Sequence, residues 1–514
     1  MAPGQGSVTR RALWLAFGVY VAVAIVAACR HEPWFDELHC WNIARVSNNP
    51  AQVAADGRYD GHPPLWYLML WVAGRVTRSV AGLHAVQLVA AIGVAALVLF
   101  GAPFRPLFRV LLLCGYYFLF EYGVVCRNYA VGVLLLFALC IVQRRGLRVR
   151  PVVYYALLFG LANVHFLFLL LAVSLHVSVL WAEARRGTLQ RNEVIRHAAL
   201  GAGLILIPFL FILPPRDSEM TPAFWLSLWA PGNFFSVLVA PLRSLVPLPA
   251  WWRHQFWNTQ ALLELAGEQS AGKVVAVCAS LLLVGLIFRV LPRGGQARLF
   301  LAVSFVLCLA TALFFPLTSA RYAGVLFIAF LAALWIAGAP ASRLASIVVT
   351  SLLLVQAVAG VFALQRDLRF PFAGSTVVPA LAAKIPRDGA IVSDYTSLES
   401  VSAYLDRPVF SLQQGKTVWF SKNDRSLDPH RSYRDGLEQF FGSSGAGEVF
   451  LFSPLSLDDR RVFDASFTDR FRATSLGSGE GAIVPGNDIH LYRISPRPRP
   501  PTVGRSDDLS PVTP

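Results

Sequence analysis

Hydrophobic residues along this chain come in continuous runs, not in alternation. Apolar stretches at 12–29, 83–101, 107–121, 129–143, 151–164, 166–181, 197–213, 274–291, 298–315, 322–338 and 345–364 are interrupted by short, mostly basic segments. Runs of about 17–20 apolar residues cross a ~30 Å hydrocarbon core as helices. Continuous runs exclude a membrane β-barrel, whose strands alternate. Eleven spans are therefore expected. A twelfth apolar segment, 63–76 (PPLWYLMLWVAGRV), has fourteen residues and would reach only ~21 Å as a helix. It reads as a re-entrant or juxtamembrane helix that starts at Pro63–Pro64.

Charge sets the parity of this layout. If 63–76 does not cross and the N-terminus is inside, the inner segments 1–11, 104–109, 143–150, 182–197, 289–298 and 339–344 hold 16 basic and 2 acidic residues. The opposite side of residues 1–364 holds 11 basic and 10 acidic ones. A crossing at 63–76 would turn most of that excess outward, against the positive-inside rule. The layout survives either reading of the N-terminus, an uncleaved anchor or a lipoprotein-like signal ending at Cys29, because Arg30 emerges outside in both.

Three outer elements follow: a loop from 30 to 82, a loop from 214 to 273, and everything after 364. The last region alternates strand-like runs (390–393, 409–412, 448–453, 489–494) with helical stretches, so residues 365–495 read as a small α/β domain. Residues 496–514 are Pro-rich and read as a disordered tail. The expected fold class is an α-helical polytopic membrane protein whose transmembrane domain, 1–364, is followed by this outer domain.

Composition sharpens the exclusions. With 55% hydrophobic and 15% charged residues and a mean hydropathy of +0.54, a soluble enzyme is ruled out. The net charge of +15 suggests a nucleic-acid partner until it is located. From Gln365 onward, 18 basic and 18 acidic residues cancel, so the excess lies in the membrane half as a topology signal, and no nucleic-acid partner is expected. Seven cysteines without C-x-x-C spacing exclude a zinc site and a disulfide framework; Cys29 and Cys40 could pair in an oxidising compartment.

The chemistry-bearing strings lie in the outer loops. WFDELHCWNIAR places Asp36 and Glu37 side by side just beyond the first span. Such a pair can hold a divalent cation or supply a base, and it can equally be a solvated acidic turn. GRYDGHPPLWY follows with Asp60 and His62 at the mouth of the short apolar helix, where His62 is either a ligand or a cap. FEYGVVCRNYAVG puts Glu121, Arg127 and Tyr129 in a short outer hairpin, and SARYAGV repeats the arrangement with Arg321 and Tyr322. Two arginines at one interface could clamp a phosphate, whereas each alone reads equally as an interfacial anchor. Nine of the 13 tryptophans fall in the outer loops; most read as interface-belt residues and a minority as platforms for sugar faces.

In this order, DE, then H-P-P-L-x-Y, then the Arg127 hairpin and the late Arg321-Tyr322, the chain resembles the membrane-embedded GT-C glycosyltransferases. It is most similar to the branch of bacterial aminoarabinose transferases and protein O-mannosyltransferases. The resemblance covers roughly 10–180 and, weakly, 310–340. It departs where relatives often carry an acid two residues before the hairpin arginine, for here that position is Val125. The resemblance implies an inverting transferase moving a sugar from a polyprenyl-phosphate carrier to a glycan, lipid or protein hydroxyl on the outer face of a bacterial-type plasma membrane. Asp36 would be the base, with Glu37 orienting it. His62, Arg127, Tyr129, Arg321 and Tyr322 would bind substrate, and Asp36, Glu37 and His62 could hold Mg or Mn. The alternative is a transporter or flippase of lipid-linked sugars. It is disfavoured because the polar groups cluster at one face and no repeat is visible.

Overall fold

A computed structural model describes residues 3–498 apart from 220–232, 268, 293–294, 315–316 and 339–341. Trp225, Trp229 and nearly all of the Pro-rich tail lie outside the described residues. The chain is a multi-pass helical membrane protein with a small α/β domain, and every expected span coincides with a helix.

The first helix, α1 (Pro3–Arg30), leads into three short helices, α2 (Phe35–Val46), α3 (Pro50–Gly57) and α4 (Leu65–Val76). The bundle continues with α5 (Ala81–Ala96), α6 (Pro106–Leu113), α7 (Tyr129–Val142), α8 (Pro151–Ala162), α9 (Phe166–Arg185) and α10 (Arg191–Ile212). After α11 (Asn233–Leu245) and α12 (Ala261–Ala266) come α13 (Ser270–Val290), α14 (Gln296–Thr311), α15 (Ala320–Ala337) and α16 (Arg343–Arg369). Among the described residues, seven helical segments are long and apolar enough to cross a membrane. Two spans are completed by π-turns, Leu97–Gly101 after α5 and Tyr117–Glu121 after α6. Local chemistry sets the ends: Pro106 and Pro151 open α6 and α8, and the Ser342 hydroxyl accepts from Ala345 N at 3.1 Å to cap α16.

Beyond Arg321 and Tyr322 in its first turn, helix α15 is apolar all round and buried accordingly, with Val325, Leu326 and Trp335 at 0% exposure. By contrast, α10 and α13 turn Leu206, Ile207, Leu210, Leu281 and Leu282 outward, a surface suited to lipid. Segment 63–76 contains the twelve-residue helix α4. Helix α4 crosses α2 so closely that a Cβ on Gly74 would sit 3.1 Å from Arg45 Cα.

The two sets of loops separate as charge parity required. Gln296 donates to Gln143, Arg148 pairs with Glu193, and Arg144 Nη2 donates to the Trp335 carbonyl at 2.8 Å, so the segments assigned to one side meet each other. At the other end, the loop 30–82, the segment after α11 and the C-terminal domain meet, as in the contacts of Trp257 with Trp34 and Phe372.

The C-terminal domain holds a six-stranded mixed sheet: β1 (Ile391–Ser393), β2 (Val409–Ser411), β3 (Lys416–Val418), β4 (Val449–Ser453), β5 (Phe471–Gly479) and β6 (Ile489–Pro496), in the order β3-β2-β1-β4-β6-β5. Strands β2, β1 and β4 are parallel, connected through α18 (Tyr395–Leu405) and α19 (Tyr433–Ser444). Helices α17 (Val378–Ala382) and α18 cover one face; α19 and α20 (Ala465–Arg470) cover the other. The four expected strands are present. Edge strands β3 and β5 escape the pattern, the first because it has three residues and the second because it is polar and irregular between Ser475 and Gly477. The boundary at 365 also shifts, since α16 runs unbroken to Arg369.

Candidate functional site

Helix α2 organises the site by its angular spacing. Positions 36 and 40 share one face, 37 faces another way, and 39, 42 and 45 line a third. Each face meets a different partner. Between Glu37 and Arg45 every side chain is buried, so apart from the terminal Val46 only Phe35 and Asp36 open toward solvent.

On the first face the Asp36 carboxylate lies between two arginines from distant parts of the chain. Arg321 Nη2 is 2.9 Å from Asp36 Oδ2, and Arg127 Nη1 is 4.0 Å from the same oxygen. Arg127 Nη1 also donates to the Asp36 carbonyl at 2.8 Å and contacts Cys40 Sγ at 3.3 Å. The Arg321 guanidinium sits over the rings of Trp34, Trp257 and Tyr322 at 5.0, 5.8 and 4.9 Å. These quadrupoles compensate part of the cost of burying a cation. Burial raises the Asp36 carboxyl, but Arg321 and then Arg127 outweigh it and hold the group below the usual carboxylate range.

The remaining predicted binding residues close around this triad. His62 Nε2 lies 3.5 Å from Arg127 Nη2 and its ring is 4.9 Å from that of His165. Burial, then the charge of Arg127, lower His62 to about 4, so the imidazole is neutral at neutral pH. The Tyr129 hydroxyl meets His165 Nε2 at 3.5 Å, and the His165 and Tyr322 rings are 6.1 Å apart. Tyr122 stacks on Tyr129 at 5.0 Å and donates to the Arg321 carbonyl at 2.6 Å, tying the hairpin to α15.

Glu37 stands apart from this group. Its carboxylate is fully buried and accepts from Trp34 N at 2.9 Å, from Cys126 N, and from His31 Nε2 at 3.3 Å. His31 Nδ1 reaches Asp367 Oδ1 at 3.0 Å near the end of α16. Burial raises Glu37 and His31 more than offsets it, so the carboxyl stays ionised. Glu37 is thus a buried brace between α2, the hairpin before α7 and the last span.

This geometry does not fit a divalent cation on Asp36, Glu37 and His62. Glu37 points away, His62 faces a guanidinium, and Asp36 is flanked by two positive charges that repel a metal ion. Among the described residues no group of three or more His, Cys, Asp or Glu side chains converges. Cys29 and Cys40 are both free, Cys29 exposed and Cys40 buried against Arg127.

Several donors in the site lack an acceptor. Arg321 Nε and Nη1, Arg127 Nε and His62 Nδ1 are buried without a hydrogen-bond partner. Two guanidinium groups face one carboxylate, which leaves one uncompensated positive charge. An oxyanion would satisfy both deficits, through charge-assisted bonds to planar forks. His165, Trp34 and Trp257 are parts of the site that sequence motifs miss. His165 sits in an unremarked turn where its Nδ1 caps α9 by accepting from Leu167 N at 3.1 Å, and the tryptophans are two among nine outer ones.

No protein-family model matches this chain, and no curated protein matches it. A search of solved structures finds the apo-state crystal structure of ArnT from Cupriavidus metallidurans. That match has 15% identity and a TM-score of 0.39, and covers 93% of this chain and 97% of that one. At that score the likeness carries no argument, and the functional reading rests on the geometry around Asp36.

Proposed function

We propose that this chain is an inverting glycosyltransferase that takes a sugar from a polyprenyl-phosphate carrier and transfers it to a hydroxyl acceptor on the outer face of the membrane. One observation carries the reading: a partly exposed carboxylate, Asp36, is shared by two buried arginines that retain unpartnered donors.

A lipid-linked sugar phosphate would place its tail between spans and its phosphate at the bundle end. There Arg321 and Arg127 exchange the carboxylate for phosphate oxygens. Asp36, released from its ion pair, accepts the proton of the acceptor hydroxyl as that oxygen bonds to the anomeric carbon. The bond from that carbon to the phosphate oxygen breaks, and the electron pair leaves on polyprenyl phosphate, where the two guanidinium groups stabilise the added charge. A phosphate leaving group needs little protonation, so one carboxylate suffices. Neutral His62 and the hydroxyls of Tyr129 and Tyr322 orient the sugar phosphate, while Glu37 keeps α2 in place.

Cells lacking the chain test this directly. Chromatography of their lipids should show one polyprenyl-phosphate sugar accumulating, and the same sugar missing from one envelope product. An unchanged profile of both would overturn the proposal.

A further inference from the structure

Aromatic side chains cluster beside the partly exposed start of α2, where Phe35 and Asp36 lie, and two of them belong to the C-terminal domain. Phe35 lies 5.0 Å from Tyr395, the first residue of α18, and stacks nearly parallel on His39 at 5.9 Å. Phe420 completes the group, 6.0 Å from His39 and nearly perpendicular to it. Phe35, Tyr395 and Phe420 are all partly exposed, whereas α2 is sealed from Glu37 to Arg45.

The C-terminal domain is pinned at this spot. Glu399, one turn along α18, is fully buried and accepts from His39 Nδ1 at 2.8 Å, Asn42 Nδ2 at 2.7 Å and Ser421 N at 2.8 Å. His39 also bonds Asp60 at 3.0 Å, on the turn that carries His62. Tyr395 is therefore fixed relative to Asp36. Its hydroxyl has no hydrogen-bond partner among the described residues, although its backbone N–H donates to Gln413 Oε1 at 2.8 Å.

Resting on the transferase reading, we infer that Phe35, Tyr395 and Phe420 form the acceptor subsite and that the acceptor is a sugar ring of a glycan. A pyranose presents an apolar C–H face and a rim of hydroxyls. Aromatic rings supply the first contact, a free phenol supplies a bond to the rim, and Asp36 takes the proton of the hydroxyl that reaches it. The donor side is cationic and buried, while this side presents three partly exposed aromatic rings. A lipid acceptor would need an apolar groove, and a peptide would need backbone partners; neither is present in these three side chains.

The test is saturation-transfer NMR on the full chain in detergent, with cellotriose, maltotriose and α-1,6-mannotriose as probes and a Ser/Thr-rich peptide alongside. At least one trisaccharide should receive saturation at its ring protons. Tyr395→Ala should weaken that binding about tenfold, and Tyr395→Phe, which keeps the ring and removes the hydroxyl, about threefold. No contact to any trisaccharide, unchanged contact in Tyr395→Ala, or a peptide that binds with the same dependence on Tyr395 would overturn the subsite. Polyprenyl-phosphate release from the donor, measured separately, keeps the two ideas apart. Donor turnover without sugar contact sinks only the subsite, and sugar contact without donor turnover sinks the transferase reading.

Discussion

Replacing Arg321 by lysine separates a phosphate ligand from a membrane anchor. Lysine keeps the positive charge and a long stem, so an anchor at the head of α15 should tolerate it. A ligand should not. The Arg321 fork gives one amino group to Asp36 at 2.9 Å and leaves Nε and Nη1 without partners, in line for an oxyanion. It also sits over the rings of Trp34 and Tyr322 at 5.0 and 4.9 Å, where a planar guanidinium can stack and a tetrahedral ammonium cannot. Losing one charge-assisted hydrogen bond costs about 1.5–3 kcal/mol. At 1.36 kcal/mol per decade this is a roughly 10- to 100-fold fall in kcat/KM for the lipid-phosphate donor. The assay is release of polyprenyl phosphate by purified protein across donor concentrations, with Arg144→Lys, at the opposite end of the bundle, as the baseline. Because the charge develops as the phosphate departs, kcat should fall at saturating donor. Arg321→Lys running at the Arg144→Lys rate at every donor concentration would refute the phosphate role.

Three further outcomes follow from contacts outside the triad. His31, held by Asp367 and Glu37 against the cost of burial, is raised from 6.5 to about 10; its contribution to stability is complete below pH 6.5 and is lost as pH rises through about 10. Melting temperature should therefore fall between those values, and His31→Gln should flatten the dependence. Arg45, fully buried, donates to Asp406 at 2.6 Å and to the Ser402 carbonyl at 2.7 Å. Arg45→Ala should loosen the C-terminal domain by about 2–3 kcal/mol, a figure discounted because Asp406 is 44% exposed, and limited proteolysis near residues 383–390 should accelerate. A reporter fused after Arg148 should be cytoplasmic and one fused behind β6 should be outside; the reverse result would mean that the loop parity is inverted.

Much of this arrangement is legible in the chain because membrane helices write themselves as long apolar runs. Among the described residues, seven of the eleven expected spans are recovered by length and hydropathy alone, and the short run 63–76 does appear as a short helix, α4. Sequence offers Arg127 and Arg321 as a clamp for a phosphate or as separate interfacial anchors, and their meeting on Asp36 is visible only in the fold. What sequence misses is direction within a helix turn. Asp36 and Glu37 look equivalent as neighbours, yet the 100° between them sends one to the arginines and the other to His31. His165, Trp34 and Trp257 carry no motif, because aromatic and imidazole rings serve as caps, interface anchors or cation boxes according to tertiary position alone. The pairing of α18 with α2 is equally unreadable, for it joins residues some 360 apart through a buried carboxylate.

The central claim is that Asp36 is the base, and Asp36→Asn tests it most directly. The amide has the same shape and can still accept from Arg321, while the group that takes the proton is gone. Measured as transfer from a polyprenyl-phosphate sugar by detergent-purified protein, turnover should fall about 10²-fold or more, with the protein inserted and folded as before. Transfer by Asp36→Asn at the wild-type rate would contradict the account.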